Sequence, residues 1–221
     1  MLSRNLILLM PNFIHHTFDG GGIAIWHITE SAEELRARLG SSVYDEQLAK
    51  LTHEGRRAEW LAVRVLVAEL LGRDKLIAYH PTGAPYLTDG SYHISISHTR
   101  GYAAIAYHRE SGLGVDIEYV SSRVERIAHR FSHPSEEAYL AATSEDRRPS
   151  MLLVNWSAKE TLYKLVGDTA AADFSAAFAI RPYALAQQGV LEVSAALPVE
   201  ALYTVHYAFY PDFVCTWAID K

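Results

Sequence analysis

The sequence predicts an α+β protein of two similar lobes, residues 1–112 and 113–221, and three observations carry that prediction. Two apolar windows, Glu54 to Leu71 and Met151 to Val166, place apolar residues around most of a helical cylinder, as buried helices do. Each half also contains runs with the alternation or small-residue content of strands. The two helices echo each other, since Trp60, Ala62 and Leu66 keep the spacing of Trp156, Ala158 and Leu162, as a duplicated lobe would. Such a layout places a ligand site at the seam of the lobes.

Along the chain, Ser31 with Glu34 three residues on is a capping-box pattern, opening a short helix that Gly40 ends. Trp60, Leu61, Val63, Val65, Leu66, Val67, Leu70 and Leu71 outline the first long helix, with Gly72 as its stop. Gly20-Gly21-Gly22, Gly83 to Pro85, Ser111-Gly112 and Arg147 to Ser150 read as punctuation. Tyr92 to Ser97 and Tyr102 to Tyr107 form a hairpin with a four-residue loop, His98 to Gly101, and Gly114 to Val120 is a third strand. The second half continues with helices near Val124 to Arg130, Ser135 to Ala142 and Met151 to Val166. Strands follow near Phe174 to Ile180, Val190 to Ser194, Tyr203 to Phe209 and Phe213 to Ile219.

Composition narrows the function classes. With 221 residues, 49% hydrophobic and 21% charged, the chain is an ordinary globular one with a sizeable core. A formal net charge of −6 gives no general pull toward nucleic acid, so any phosphate-bearing ligand must meet locally placed basic residues. Cys215 is the only cysteine, which excludes an internal disulfide and a cysteine-based zinc cluster and agrees with a cytoplasmic location. Leu6-Ile7-Leu8-Leu9-Met10 is far shorter than a membrane span and is followed by Pro11. It reads as a buried first strand, with no membrane partner expected.

The chemistry concentrates in two segments. Asp116 and Glu118 lie two apart on a predicted strand, so both point to one face while Val115 and Ile117 point to the other. This fits either a solvated strand face or an acidic pair that wants a cation. In the second long helix Trp156, Glu160 and Lys164 are spaced by four and share a face; Glu160 and Lys164 form either an ordinary salt bridge or part of a site. With Glu160 as third carboxylate, the oxygen ligands suit Mg²⁺, a hard ion that keeps waters and shares itself with substrate phosphates. Ser97 and His98 end a strand where both could hydrogen-bond an anion. A serine hydrolase is disfavoured, because adjacent side chains seldom aim at each other and no Gly-x-Ser-x-Gly elbow is present. Arg56 and Arg57 open the first long helix and either grip phosphate or solvate the helix face. The histidines show no metal-ligand spacing, His15-His16 being a weak zinc suggestion at best.

Taken in order, Gly83-Ala84-Pro85, Ser95-Ile96-Ser97-His98, Gly114-Val115-Asp116-Ile117-Glu118 and Trp156-Ser157-Ala158-Lys159-Glu160-Thr161-Leu162-Tyr163-Lys164 resemble the motifs of the 4′-phosphopantetheinyl transferase superfamily. The similarity is to the longer, two-lobed type that activates peptide and polyketide synthetases. It implies a pseudo-dimeric monomer that moves the 4′-phosphopantetheine arm of coenzyme A to a serine of an apo carrier protein, releasing 3′,5′-adenosine bisphosphate. The resemblance further implies that Asp116, Glu118 and Glu160 hold Mg²⁺ against the pyrophosphate and that His98 and Lys164 contact the phosphates. Arg57, Gly83, Pro85 and Ser97 complete the implied coenzyme A site. Glu160, or a metal-bound water, is the implied base. Many relatives carry Lys or Arg where this chain has Ala84, so a weaker preference for the 3′-phosphate is expected unless Arg56 or Arg57 compensates. Two other readings use the same residues: a non-catalytic coenzyme A or nucleotide-binding module, and a Mg²⁺-dependent phosphoesterase. The intact acidic triad disfavours the first, and the lack of a second-metal cluster or hydrolytic nucleophile disfavours the second.

Overall fold

Two units with separate cores account for the described residues, which are 13–167, 173–196 and 200–220 of the computed structural model; the chain divides between Glu110 and Ser111. The expected strand at Leu6 to Met10 lies outside the described residues.

In the first unit, β1 (Phe13–Phe18) and β2 (Gly21–His27) pair antiparallel, and Gly21 and Gly22 are strand residues rather than loop punctuation. Their lack of a side chain has a packing cause. A Cβ on Gly21 would stand 2.1 Å from the Tyr107 carbonyl oxygen, and one on Gly22 would stand 2.8 Å from the Tyr107 hydroxyl. Helix α1 (Ala32–Leu39) opens with the full capping box, Ser31 Oγ accepting from Glu34 N at 3.2 Å and Glu34 Oε2 accepting from Ser31 N at 2.8 Å. Gly40 closes it at φ 64°, the left-handed conformation that favours glycine. After the short α2 (Asp45–Ala49) comes α3 (Glu54–Leu70), whose Leu61, Ala62, Val65 and Leu66 are buried in the core. Arg64 is a core group of its own unit, 3% exposed. Its guanidinium carbon stands 3.1 Å from the Trp60 ring centroid and near the Tyr44 and Tyr79 rings.

A two-stranded ribbon, β3 (Ile77–Tyr79) with β4 (Pro85–Leu87), precedes β5 (His93–Thr99) and β6 (Tyr102–His108). The larger sheet has the order β1-β2-β6-β5. The β5–β6 turn is two residues, not the expected four, because Thr99 already pairs with Tyr102. Arg100 at φ 30° and Gly101 at φ 82° have the paired positive φ of a tight hairpin whose twist matches its strands. His98 therefore belongs to a strand.

The second unit has a five-stranded antiparallel sheet. It begins with β7 (Leu113–Tyr119), followed by α4 (Arg123–Ile127), two 3₁₀ turns (Ala128–Arg130 and Pro134–Glu136), α5 (Glu137–Ala142) and α6 (Arg148–Val166). Helix α6 starts three residues before Met151, since Pro149 in its first turn lacks only an N–H that has no intrahelical partner there. Phe174 to Ile180 is not one strand: α7 (Phe174–Ala177) is capped by Asp173, which accepts from Ser175 N at 3.0 Å, and β8 (Phe178–Ile180) follows. With β9 (Gln188–Ala195), β10 (Ala201–Phe209) and β11 (Phe213–Ile219) the strand order is β7-β11-β10-β9-β8. Helix α6 packs on β7 and β11, closest at Gly114, where a Cβ would stand 2.0 Å from the Thr161 carbonyl oxygen. The helix echo extends to burial, since Trp60 and Trp156 are half-buried and Ala62, Ala158, Leu66 and Leu162 are fully buried. Among the described residues no helix is long and apolar enough to cross a membrane.

Candidate active site

Strand β7 is not a half-solvated strand. Asp116 is 4% exposed, because the face it shares with Glu118 lies under α6 rather than in water. Asp116 Oδ2 accepts from Ser157 Oγ at 2.8 Å, and Oδ1 accepts from Lys164 Nζ at 2.8 Å. Lys164 also donates to the Val115 carbonyl at 3.1 Å. Glu118 Oε1 accepts from the Trp156 indole N–H at 2.7 Å. Helical spacing explains the set: Trp156, Glu160 and Lys164 fall on one stripe of α6, and that stripe faces the acidic strand.

Charge crowding then sets the protonation. The Glu160 carboxyl is pushed up to about 7, first by burial and then by Asp116, with Lys164 opposing and Glu118 adding to the rise. Burial and Asp116 also push Glu118 up, against the Trp156 hydrogen bond, Lys164 and Arg123. Among the described residues no donor hydrogen-bonds the Glu160 carboxylate, so it is an acceptor poised near neutrality. Lys164 pairs with Asp116, not with Glu160 four residues before it. A carboxylate this buried needs a counter-charge, and Lys164 supplies it.

Among the described residues no three His, Cys, Asp or Glu side chains form a ready-made metal cage. Mg²⁺ seldom requires one, binding through one or two carboxylates together with waters and substrate phosphates. The donors here are all oxygen, and burial followed by Asp116 raises both Glu160 and Glu118, a crowding of carboxylates that a hard cation would relieve. The residues present fit such an ion.

The motif's other lysine has a partner that sequence reasoning missed. Lys159 is fully buried, 2.8 Å from Glu136 Oε1, and donates to the Phe131 carbonyl at 2.6 Å. Glu136 Oε1 also accepts from Ile180 N at 2.9 Å, tying α6 to a 3₁₀ turn and to β8. The only available signal was the need of a charge within an apolar helix for an opposite one; 23 residues of separation concealed which.

In the first unit, Arg56 donates to the His98 ring, and Glu59 Oε2 stands 3.4 Å from His98 Nδ1 and 3.8 Å from Arg56. Ser97 is buried in β5. Among the described residues, Arg57 Nε is buried with no hydrogen-bond partner. Gly83, at φ 88°, and Ala84 lie in the β3–β4 loop, held by His80 N donating to Ala84 O at 2.9 Å, and Pro85 opens β4. His15 is engaged with the Tyr107 hydroxyl at 2.8 Å.

A strand-and-helix pair thus brings three crowded carboxylates and a lysine together in the second unit. Residues 112–217 match the family model of the 4′-phosphopantetheinyl transferase superfamily. The chain is 27% identical over 185 residues to the Nostoc sp. 4′-phosphopantetheinyl transferase HetI, an alignment covering 76% of this chain and 77% of that protein. It is 28% identical over 129 residues to the Salmonella typhi 4′-phosphopantetheinyl transferase AcpT, covering 57% of this chain and 67% of AcpT. A Synechocystis protein provisionally named as a 4′-phosphopantetheinyl transferase is 29% identical over 115 residues, and there the chain spans about half the relative's length, 47%.

Proposed function

We propose that the protein is a Mg²⁺-dependent 4′-phosphopantetheinyl transferase of the two-lobed type, taking coenzyme A and an apo carrier protein. In the reaction the carrier serine Oγ forms a bond to the phosphorus that bears pantetheine. The bond from that phosphorus to the nucleotide breaks, and 3′,5′-adenosine bisphosphate leaves. The observation that carries the reading is Glu160, a carboxyl pushed up to about 7, without a hydrogen-bond donor among the described residues and crowded by two more carboxylates. A base with that affinity is matched to accepting the serine proton at neutral pH, directly or through a water.

Asp116, Glu118 and Glu160 would hold the metal, which supplies charge neutralisation at the pyrophosphate. Lys164 adds a positive group at the same place. His98 and Arg57, with Ser97, Gly83 and Pro85, are assigned to coenzyme A; the buried Nε of Arg57, without a hydrogen-bond partner among the described residues, supports that role for it.

The test is to incubate the protein with coenzyme A, Mg²⁺ and an apo carrier protein, then weigh the carrier by mass spectrometry. A gain equal to the phosphopantetheine arm is expected. Coenzyme A cleavage without the gain would point to a phosphoesterase, and neither product to a binding module. Glu160→Gln and Asp116→Ala should each abolish the gain, and full activity in either variant would sink the triad assignment.

A further inference from the structure

We infer that Ser157 and Thr216, backed by Thr161, are positioning residues that lock the Asp116 carboxylate in the orientation a cation needs; this rests on the metal reading above. Thr216 on β11 pairs directly opposite Asp116 on β7, so both side chains rise from the same face of the sheet. Above them Ser157 and Thr161 lie one turn apart on α6, which comes this close because Gly114 presents no side chain to Thr161. Ser157, Thr161 and Thr216 are all 0% exposed. Their hydroxyls form a chain, with Ser157 Oγ 2.9 Å from Thr216 Oγ1 and Thr161 Oγ1 2.6 Å from Thr216 Oγ1.

Each hydroxyl has one proton, and that decides the direction of the chain. The Asp116 carboxylate only accepts, so Ser157 spends its proton on Oδ2. Ser157 must then accept from Thr216, and Thr216, its own proton used, must accept from Thr161. The Thr216 carbonyl, 3.2 Å from Thr161 Oγ1, is the weaker competitor for that last proton. The resulting relay, Thr161 to Thr216 to Ser157 to Asp116, is satisfied at every step without water. It saturates Oδ2 with a neutral donor and leaves Oδ1 as the oxygen facing positive charge, which in this structure is Lys164. Partners behind a ligating group orient it, and removing them typically weakens metal affinity about 10–100-fold.

The test titrates Mn²⁺ into the full-length protein with coenzyme A present, reading free Mn²⁺ by electron paramagnetic resonance, for the native protein and for Ser157→Ala, Thr216→Val, Thr216→Ser and Asp116→Asn. Thermal melts identify a temperature at which each variant is folded. Ser157→Ala and Thr216→Val should weaken Mn²⁺ binding about tenfold or more, whereas Thr216→Ser, which keeps the hydroxyl, should bind as the native protein does. Should Ser157→Ala not fold, the near-isosteric Thr216→Val carries the test. A merely structural role would lower melting temperatures and leave Mn²⁺ affinity unchanged, and that result overturns the inference while the metal reading stands. Equal Mn²⁺ binding by the native protein and Asp116→Asn would overturn the metal reading and the inference together.

Discussion

Lys159 and Lys164 stand on the same helix, and each meets one carboxylate at 2.8 Å. Around Lys159 everything is closed: both partners of its pair are 0% exposed, and the lysine also bonds the Phe131 carbonyl. Lys164 keeps about a quarter of its side chain, 26%, in contact with solvent, and the carboxylate it meets has two acidic neighbours. Equal distances thus hide opposite roles. A pair sealed in a dry core is out of a ligand's reach, and its breakage costs folding energy. A reachable lysine among three carboxylates leaves negative charge over, and that surplus is what a cation and a phosphate can use.

The contrast can be broken most directly at the sealed pair. Lys159→Met should destabilise the protein by about 3–5 kcal/mol, since it strands Glu136 in the core, and adding Glu136→Gln should recover a large part of that loss. Urea unfolding measures both, and a single variant as stable as the native protein would show that the pair is not structural. Burial lowers the Lys159 pKa, and the charge and hydrogen bond of Glu136 oppose this.

Next in size, Lys164→Ala should slow transfer about 100-fold, on the order of removing one preorganised donor to a developing charge. Its melting temperature should fall by far less than that of Lys159→Met. If the two variants lose stability and activity in the same proportion, the distinction between the lysines disappears.

The surplus charge beside Lys164 also predicts a pH slope. Unfolded, Glu160 titrates near 4.5, whereas in the folded protein it is pushed up to about 7. Between those values the folded protein holds a proton that the unfolded chain has released. Stability is therefore full below about pH 4.5 and declines as pH rises to about 7, by roughly 3 kcal/mol for this group alone. Unfolding free energies of the native protein and Glu160→Gln, compared from pH 5 to 8 in a chelator, should converge at the acid end, with the native protein losing more as pH rises. Parallel curves would count against the crowded carboxylate.

The smallest expected effect is at Ala84. Restoring a basic residue, Ala84→Lys, should improve the preference for coenzyme A over its dephospho form by a few-fold, about 1 kcal/mol, as one added surface charge contact allows. No change in the ratio of kcat/KM values would mean that other groups already satisfy the 3′-phosphate.

Much of this was legible in the chain. The long helices, the capping box at Ser31 and the strand bearing Asp116 and Glu118 follow from periodicity and local chemistry, which act over a few residues. So did the stripe of Trp156, Glu160 and Lys164. The misread segments share a cause. Gly21 and Gly22 looked like a loop because their reason, the nearby Tyr107, lies far along the chain. Phe174 to Ile180 looked like a strand because its apolar content outweighed the Asp173 cap. The β5–β6 loop was set too long because register is decided by pairing rather than by loop composition.

By itself the sequence determined which residue types stand at which helical and strand spacing, and so that Asp116 and Glu118 share one strand face and Trp156, Glu160 and Lys164 one helix face. That information is local, written in 3.6- and 2-residue periods. Only the tertiary structure decided that Lys159 takes Glu136, that Lys164 takes Asp116, and that Ser157 and Thr216 stand behind that carboxylate. A charge or a hydroxyl in a dry interior must find a partner, but which one depends on the packing of α6 against β7 and β11, and packing joins residues that sequence distance keeps apart.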